Sequence, residues 1–505
     1  MKDYSRLYSI LFLTLLVLAS PSVMLISIDN AVDMKSEPIK SKSHILSLLE
    51  HDPILISSNE DFVSQGWPGA GTFEDPYVIA DLEIISNGSS CLRIGPDVSA
   101  HYRISGCTFS DARSMSPPSL WGILIEGGFG TIIDCIVRNC TFGLGLFSDY
   151  SVVTNCDVQE CSVGASVTGT GNILSDCIIG NCTASGLTFT DADRCVIQNT
   201  LFPIDPNPLS STAGFQQMHI ENISNCIIRD NEIYSSNLGM QIDGRNVSLQ
   251  RNTYHVYSDG GAIYLCSGNF GCSDNITITD SIFIGQNFGY AIKSIITNNV
   301  TISNCEFRDK WAVAVYLSGN GNYTISNCMF STLLTYGTLG TGISDKDYID
   351  FQSWGVIKNN TLQYFSKGIE VFSNHIQICN NTISNNTKGI VIHGNESNVF
   401  YNNFVQNNIH AEDNGENNLW DDDVGLGNFW DNYDGEGPYE VNGTAGAEDR
   451  WPVRYETTTI GATTTTTTTT TDIVGIFTIE EILIIGIFSA AIMCLIGIIY
   501  IKKRK

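Results

Sequence analysis

Three arginines stand at matching places in this chain. Arg138, Arg229 and Arg308 each follow a cysteine by three residues, at Cys135, Cys226 and Cys305, and Gln159 follows Cys156 in the same way. Asp230 adjoins the second arginine, and Asp309 and Lys310 adjoin the third. A row of guanidinium groups can grip carboxylates through paired hydrogen bonds and assist removal of a neighbouring proton, chemistry suited to acidic sugars. The same row also reads as a solvated face of ion pairs between neighbouring segments, which are common and contribute little.

A second set of candidate groups is acidic. Asp431, Asp434 and Glu436 lie in DDDVGLGNFWDNYDGEG (421–437), and such oxygen ligands suit calcium. The spacing departs from the alternating calcium-loop pattern, so a solvated turn stands beside the calcium reading. Sugar hydrolysis needs two carboxyl groups at a set separation. The sequence offers no ordered set of such elements: His393–Gly394 lacks a preceding glycine, and Asp421–Asp423 fall near the end. Catalysis is therefore not assigned to any residue, and no cofactor is required. Binding is the leading reading.

The cysteines are the third set. IIDCIVRNC (132–140), VVTNCDVQEC (152–161) and ILSDCIIGNC (173–182) repeat a cysteine pair every 21 residues. Zinc ligands must converge on one point, whereas repeated pairs spread along an axis. Disulfides need an oxidising compartment and suitable side-chain vectors. A small buried thiol that fills space is the plainer role.

The elements that carry these residues follow from the repeat. A column of small residues runs Cys107, Cys135, Cys156, Cys177, Thr200, Cys226, Asn252, Ser281, Cys305, Cys328, Asn360, Asn381 and Asn403. Three residues before each, from Ile104 to Phe400, and two residues after, from Phe109 to Val405, the side chain is apolar or aromatic. The preceding position is almost always Asn or Asp, which tolerate left-handed bends. A second short strand follows a glycine in most units, as in GLGL (143–146) and GIVI (389–392). Short β-branched strands, bends and no helical period predict an all-β parallel solenoid of about 13 coils, on the order of 60 Å long at ~4.8 Å per coil. Cys140, Cys161 and Cys182 form a second column at the next corner.

The flanks carry a resemblance. ILISSNEDFVSQGWPGAGTFEDPYVIADLEI (54–84) and NNLWDDDVGLGNFWDNYDGEGPYEVNGTAGAEDRWPV (417–453) resemble the end motifs of the NosD-type β-helix family, which sits among β-helix carbohydrate-binding proteins and sugar hydrolases. The resemblance implies a single-stranded right-handed parallel β-helix with capped ends. Trp67, Pro68, Phe73, Pro76 and Tyr77 would close one end, and Trp420, Trp430, Tyr433, Pro438, Tyr439, Trp451 and Pro452 the other. It implies a polysaccharide or glycan partner, and an arginine row like that of pectate-lyase-like β-helices. Tyr254, Trp311, Tyr316 and Trp354 become candidates for stacking on sugar rings if they face outward. The family name also implies copper handling, which favours Met, His and Cys ligands; with only 8 histidines, copper is disfavoured here.

The organisation expected is a signal peptide over 1–28, an N-terminal cap over 54–86, coils over 87–410 and a C-terminal cap over 411–455. A threonine-rich stalk over 456–478, a membrane-spanning helix over 479–501 and a basic tail over 502–505 complete it. Lys2 and Arg6 precede the apolar run Leu7–Leu18, as in a secretory signal, although renewed apolarity at 23–28 also allows an uncleaved anchor. Ile482 to Ile501 gives about 30 Å of helix at ~1.5 Å per residue, enough to span a membrane, and KKRK after it should stay cytoplasmic. The stalk, TTTIGATTTTTTTTT (457–471), is a spacer with or without sugar. Thirteen Asn-x-Ser/Thr sequons occur, and Asn87, Asn222, Asn246, Asn275, Asn322, Asn395 and Asn442 are glycosylation candidates. Asn359 and Asn380 arise from the ladder and are expected to be less accessible.

The formal charge of −27, from 26 basic and 53 acidic residues, excludes a nucleic-acid-binding surface because phosphates would be repelled. The sequence thus predicts a membrane-anchored extracellular surface protein that binds polysaccharide or glycan. A lyase or hydrolase acting on acidic sugars, and a structural or adhesion element without catalysis, are the alternatives.

Overall fold

Residues 152–170 show how one coil is made. Val152–Thr154 is a strand, the chain bends at Asn155 and Cys156, and Asp157–Gln159 is a second strand. It bends again through Cys161 into a third, Val163–Thr170. Each strand alternates inward and outward residues. Each also pairs in parallel with the coils before and after: Val158 lies opposite Val137 and Ile179, Val153 opposite Ile132 and Leu174, and Ala165 opposite Leu144 and Leu187.

The structure is a computed structural model that describes residues 48–453 except 87, 114–119, 204–215, 258–259, 267–272, 287–288, 333–339 and 347–352. Three parallel sheets result. Sheet 1 contains 16 strands, including Asp157–Gln159. A further 28 form one network of two ladders, sheet 2 (with Val163–Thr170) and sheet 3 (with Val152–Thr154), joined where the 13-residue strand Leu238–Gln250 runs through both, and Tyr439–Glu440 and Glu448–Asp449 make a separate antiparallel pair. The solenoid expectation is met. The signal peptide, stalk, spanning helix and basic tail lie outside the described residues, and no described helix is long and apolar enough to cross a membrane.

Like residues pile upon like. Tyr254, Phe283, Phe307 and Phe330 stack with ring centroids 4.8, 4.8 and 4.4 Å apart and planes within 3–6° of parallel. Burying each such side chain contributes about 1.5–3 kcal/mol, and each stacked pair a further ~0.5–1.5 kcal/mol. Tyr254 and Trp311 are therefore core residues, each only 1% exposed, which corrects their assignment as sugar-facing candidates.

The corner before sheet 1 explains the small-residue column. Its residues have left the ladder of sheet 3 without yet entering sheet 1, so their backbone N–H groups need another acceptor. The side chain one coil on supplies it. Thr200 N donates to Asn231 Oδ1 (2.9 Å), Asn360 N to Asn381 Oδ1 (3.0 Å), Asn381 N to Asn402 Oδ1 (3.0 Å) and Asn402 N to Asn428 Oδ1 (2.9 Å). Where cysteine holds the place, its thiol turns back to the carbonyl two residues earlier, as from Cys135 to Ile133 (3.4 Å) and Cys156 to Thr154 (3.4 Å). The preceding Asn or Asp does adopt the left-handed bend, with φ of 57° at Asp134, 53° at Asn155 and 56° at Asn380.

Two members of the predicted column are corrected. Cys226 opens the sheet 3 strand Ile227–Arg229, which pairs with Val196–Gln198; the ladder place in that coil belongs to Asn231. The local pattern of apolar, Asn, Cys, apolar is the same at both corners, so it fits either register. In the last coil the ladder residue is Asn402, with Val399 and Phe404 buried; Asn403, Phe400 and Val405 are the outward set. A slip of one residue exchanges the two faces of a strand. Cys107, Cys135, Cys156, Cys177, Cys305 and Cys328 keep their places. The 13 cysteines whose side chains are described are all free thiols.

Glycine in the second strand is a spatial requirement. A Cβ on Gly143 would lie 2.3 Å from Gly164 O and 2.5 Å from Val158 Cγ1. Both ends are closed by aromatic residues. At the first, helix Asn59–Ser64 places Phe62 on Tyr77 (4.5 Å, 9°), whereas Phe73 is 79% exposed and closes nothing. At the other, Trp430 stacks on Phe404 (4.2 Å) and Tyr439 (4.0 Å), and Trp420 Nε1 donates to Asp413 (2.8 Å). The buried Asp449 accepts both Trp430 Nε1 (2.9 Å) and Asn428 N (2.7 Å), ending the asparagine ladder. Ladder strands extend into both predicted cap segments, at Ile54–Ile56 and at Phe429–Trp430.

Candidate functional site

The arginine row is not assembled. Arg138 and Arg308 share an outward column of sheet 1, but seven coil steps separate them, about 34 Å. Arg229 is on sheet 3, between Gln198 and Gln250. Each arginine is also engaged locally: Arg138 with Asp157 (2.6 Å), Arg308 with Glu306 (2.5 Å), and Arg229 with Gln198 (3.0 Å) and Asp230 (4.0 Å). Asp230 in turn holds Arg251 (2.7 Å). Pairing with Glu306 raises the Arg308 pKa, and Arg308 lowers that of Glu306. Asp309 and Lys310 follow Arg308 around the next bend, where Asp309 has φ 69° and Lys310 N bonds Gly285 O.

The acidic set does not converge either. Asp431 faces His410 Nε2 (2.8 Å) and accepts Gln406 N (2.6 Å), while Asp434 accepts the backbone N–H of Glu436 (3.0 Å) in a local turn. Among the described residues no three His, Cys, Asp or Glu side chains converge in a metal-binding group.

A different cluster forms on the outward face of sheet 2. Register places Tyr264, Lys293, Tyr316, Ser344, Glu370, Val391 and Glu412 in one column over seven coils, about 29 Å. Lys346, Phe372 and His393 lie in a second column, and Lys367 and Lys388 pair in a third. Lys293 Nζ lies 5.0 Å from the Tyr264 ring centre and 5.3 Å from that of Tyr290. Lys346 Nζ sits 3.4 Å over Phe372, whose other neighbour is His393 (4.3 Å). Glu370, with its side chain 9% exposed, meets Lys367 (2.5 Å), Lys346 (3.6 Å) and His393 (3.7 Å); Lys388 meets Glu412 (2.5 Å).

The electrostatics are consistent with this geometry. Burial works to raise the Glu370 pKa, but Lys367, Lys346 and His393 override it and hold the carboxyl below its ordinary value. Lys388 and Asn414 lower that of Glu412. Four lysines against two glutamates leave an excess of two positive charges, on a chain of formal charge −27. Lys346, Lys367, Lys388 and His393 are each 31–35% exposed, so their stems are packed and their heads reach solvent.

Of the sequence candidates, only Tyr316 belongs to this face. Trp354, half exposed, stacks on His375 (4.8 Å) at sheet 3. The missed residues had a signal: Lys367–Gly368 and Lys388–Gly389 repeat at 21 residues, and counting two and four places past each glycine reaches Glu370, Phe372 and His393. Asn222, Asn246, Asn275, Asn322 and Asn442 are exposed, and Asn395 is half-buried; Asn87 lies outside the described residues. Asn359 and Asn380 are exposed too, because the buried ladder residues are the asparagines that follow them, Asn360 and Asn381.

A family model described as "Right handed beta helix region" matches residues 70–203, 164–330 and 266–419. No curated protein matches the chain. Among solved structures, a mannuronic-acid-specific family 6 polysaccharide lyase from human gut microbiota is 13% identical over 71% of this chain and 87% of that one, with a TM-score of 0.39. The A-module of an Azotobacter vinelandii mannuronan C-5 epimerase is 13% identical over 81% and 89%, with a TM-score of 0.32. The tailspike protein of E. coli bacteriophage HK620, solved with a pentasaccharide, is 11% identical over 63% and 68%, with a TM-score of 0.36. Overlapping matches from 70 to 419 and the parallel ladders over the same residues make this chain a member of the right-handed β-helix family.

Proposed function

We propose that the protein is exported, held at a cell membrane by residues 479–501 with its β-helix outside and its C-terminus inside, and binds an acidic polysaccharide or glycan along sheet 2. Within the β-helix family, the end segments support a place near NosD-type proteins. The observation that carries the binding reading is the row of cations and rings from Lys293 to Lys388. Chain carboxylates would meet the lysine heads, and the rings of Tyr264, Tyr290, Tyr316 and Phe372 would meet the apolar edges of sugar units. A repeating polymer suits a repeating face, since successive sugars meet equivalent positions on successive coils.

Binding can be tested with a glycan array and a pull-down from cell-wall material. Retention of acidic polymers over neutral ones is expected; no retention of any glycan would contradict the reading. A second reading, a lyase, draws on Glu370, Lys367 and His393 lying together, because proton removal beside a carboxylate needs a cation and a base. It predicts unsaturated sugar ends released from a polyuronate, absent with Lys367→Ala.

A further inference from the structure

Register brings four sequons into one column. Val247 lies opposite Ile276, Ile276 opposite Val300 and Val300 opposite Tyr323, so Asn246, Asn275, Asn299 and Asn322, one residue earlier, occupy the same corner of successive coils. The middle residue of each sequon is buried, and the asparagine is exposed. The hydroxyls of Ser248, Thr277, Thr301 and Thr324, two residues on, share the outward face with it. Each amide donates to the coil before it: Asn246 Nδ2 to Asn225 Oδ1 (3.1 Å), Asn275 Nδ2 to Asn246 Oδ1 (2.8 Å), Asn322 Nδ2 to Asn299 Oδ1 (3.2 Å) and Asn299 Nδ2 to the carboxylate of Asp274, beside Asn275 (2.8 Å).

We propose that these four asparagines are N-glycan attachment sites that act as one column, in which sugar is carried only on coils that are not neighbours. An amide nitrogen has two hydrogens. One makes the bond along the column, and the other is the one lost on attachment, so modification and the hydrogen bond are compatible. The new bond joins Nδ2 to C1 of the first sugar, while the bond from that carbon to the diphosphate of a lipid-linked oligosaccharide donor breaks. The amide proton passes to a base of the transferase, and the lipid diphosphate leaves. Neighbouring coils are about 4.8 Å apart, which leaves no room for two branched chains side by side. The column therefore holds at most two glycans.

The full chain, produced in a host that modifies Asn-x-Ser/Thr, provides the test through intact mass and glycopeptide mapping. Glycan on the column is expected, with no more than two per folded molecule and never on adjacent coils. Thr277→Ala removes the Asn275 sequon yet keeps Asn275 and its hydrogen bond; it should abolish sugar at Asn275 and raise joint occupancy of Asn246 and Asn299. Asn275→Gln should do the same. An unmodified column overturns the proposal, whatever the state of Asn222 and Asn442. Sugar on two neighbouring coils of the folded protein overturns it as well.

Discussion

Single side chains in this protein matter through the coil above or below them. Asn381 accepts from Asn360 N and donates to Ile357 O (2.9 Å), so Asn381→Ala leaves buried polar groups unpaired. A loss of about 1–3 kcal/mol is expected, read as a lower denaturant midpoint. Cys156→Ser should cost about 1 kcal/mol or less, because Ser281 in the same column already donates to a carbonyl two residues back (2.8 Å). Burial raises the thiol pKa of Cys182 to about 12. Cys107, Cys135, Cys156, Cys177, Cys305 and Cys328 are buried, so reagent cannot reach them, and these ladder thiols should resist alkylation until the chain unfolds. Glu370 gives a pH dependence. Its folded pKa lies below the ordinary 4.5, so its contribution is present above that pH and is lost as pH falls through the folded value. Thermal melts should fall more between pH 6 and pH 3 for the natural chain than for Glu370→Gln.

Among the elements, the ends are the most exposed to failure. A parallel sheet offers an open edge at each end, and an uncovered edge invites another chain. Trp430 covers the last coil between Phe404 and Tyr439 and donates to Asp449. Trp430→Ala should cost about 3–5 kcal/mol and cause association that rises with concentration, measured by light scattering. The same substitution at half-exposed Trp354 should leave both stability and light scattering nearly unchanged.

Across the molecule, the coil was legible in the sequence because a solenoid writes one rule many times. Apolar columns three before and two after a small residue, with Asn or Asp at the left-handed bend, sufficed to predict parallel strands and a stacked core. The register was less legible wherever two corners share a local pattern, as at Cys226 and Asn231, or where asparagines run together, as at Asn402 and Asn403. The functional face was hardly legible. Arg138, Arg229 and Arg308 follow the same sequence rule yet lie on different sheets or far apart, whereas the lysine face is assembled by counting from the glycines of the second strand. Outward residues obey no packing rule, so their meaning emerges only when the coils are in register.

The central claim is that the cations of sheet 2 bind an acidic polymer, and its affinity measured across a salt series tests this most directly. A polyuronate should bind at low ionic strength and weaken steadily toward 0.15 M and beyond, where screening acts over about 8 Å. The triple variant Lys346→Ala, Lys367→Ala, Lys388→Ala should bind at least tenfold more weakly with a flatter salt dependence, since each lost charge contact is worth roughly 1 kcal/mol. Equal binding by the two proteins, or none by the natural chain at low salt, would contradict it.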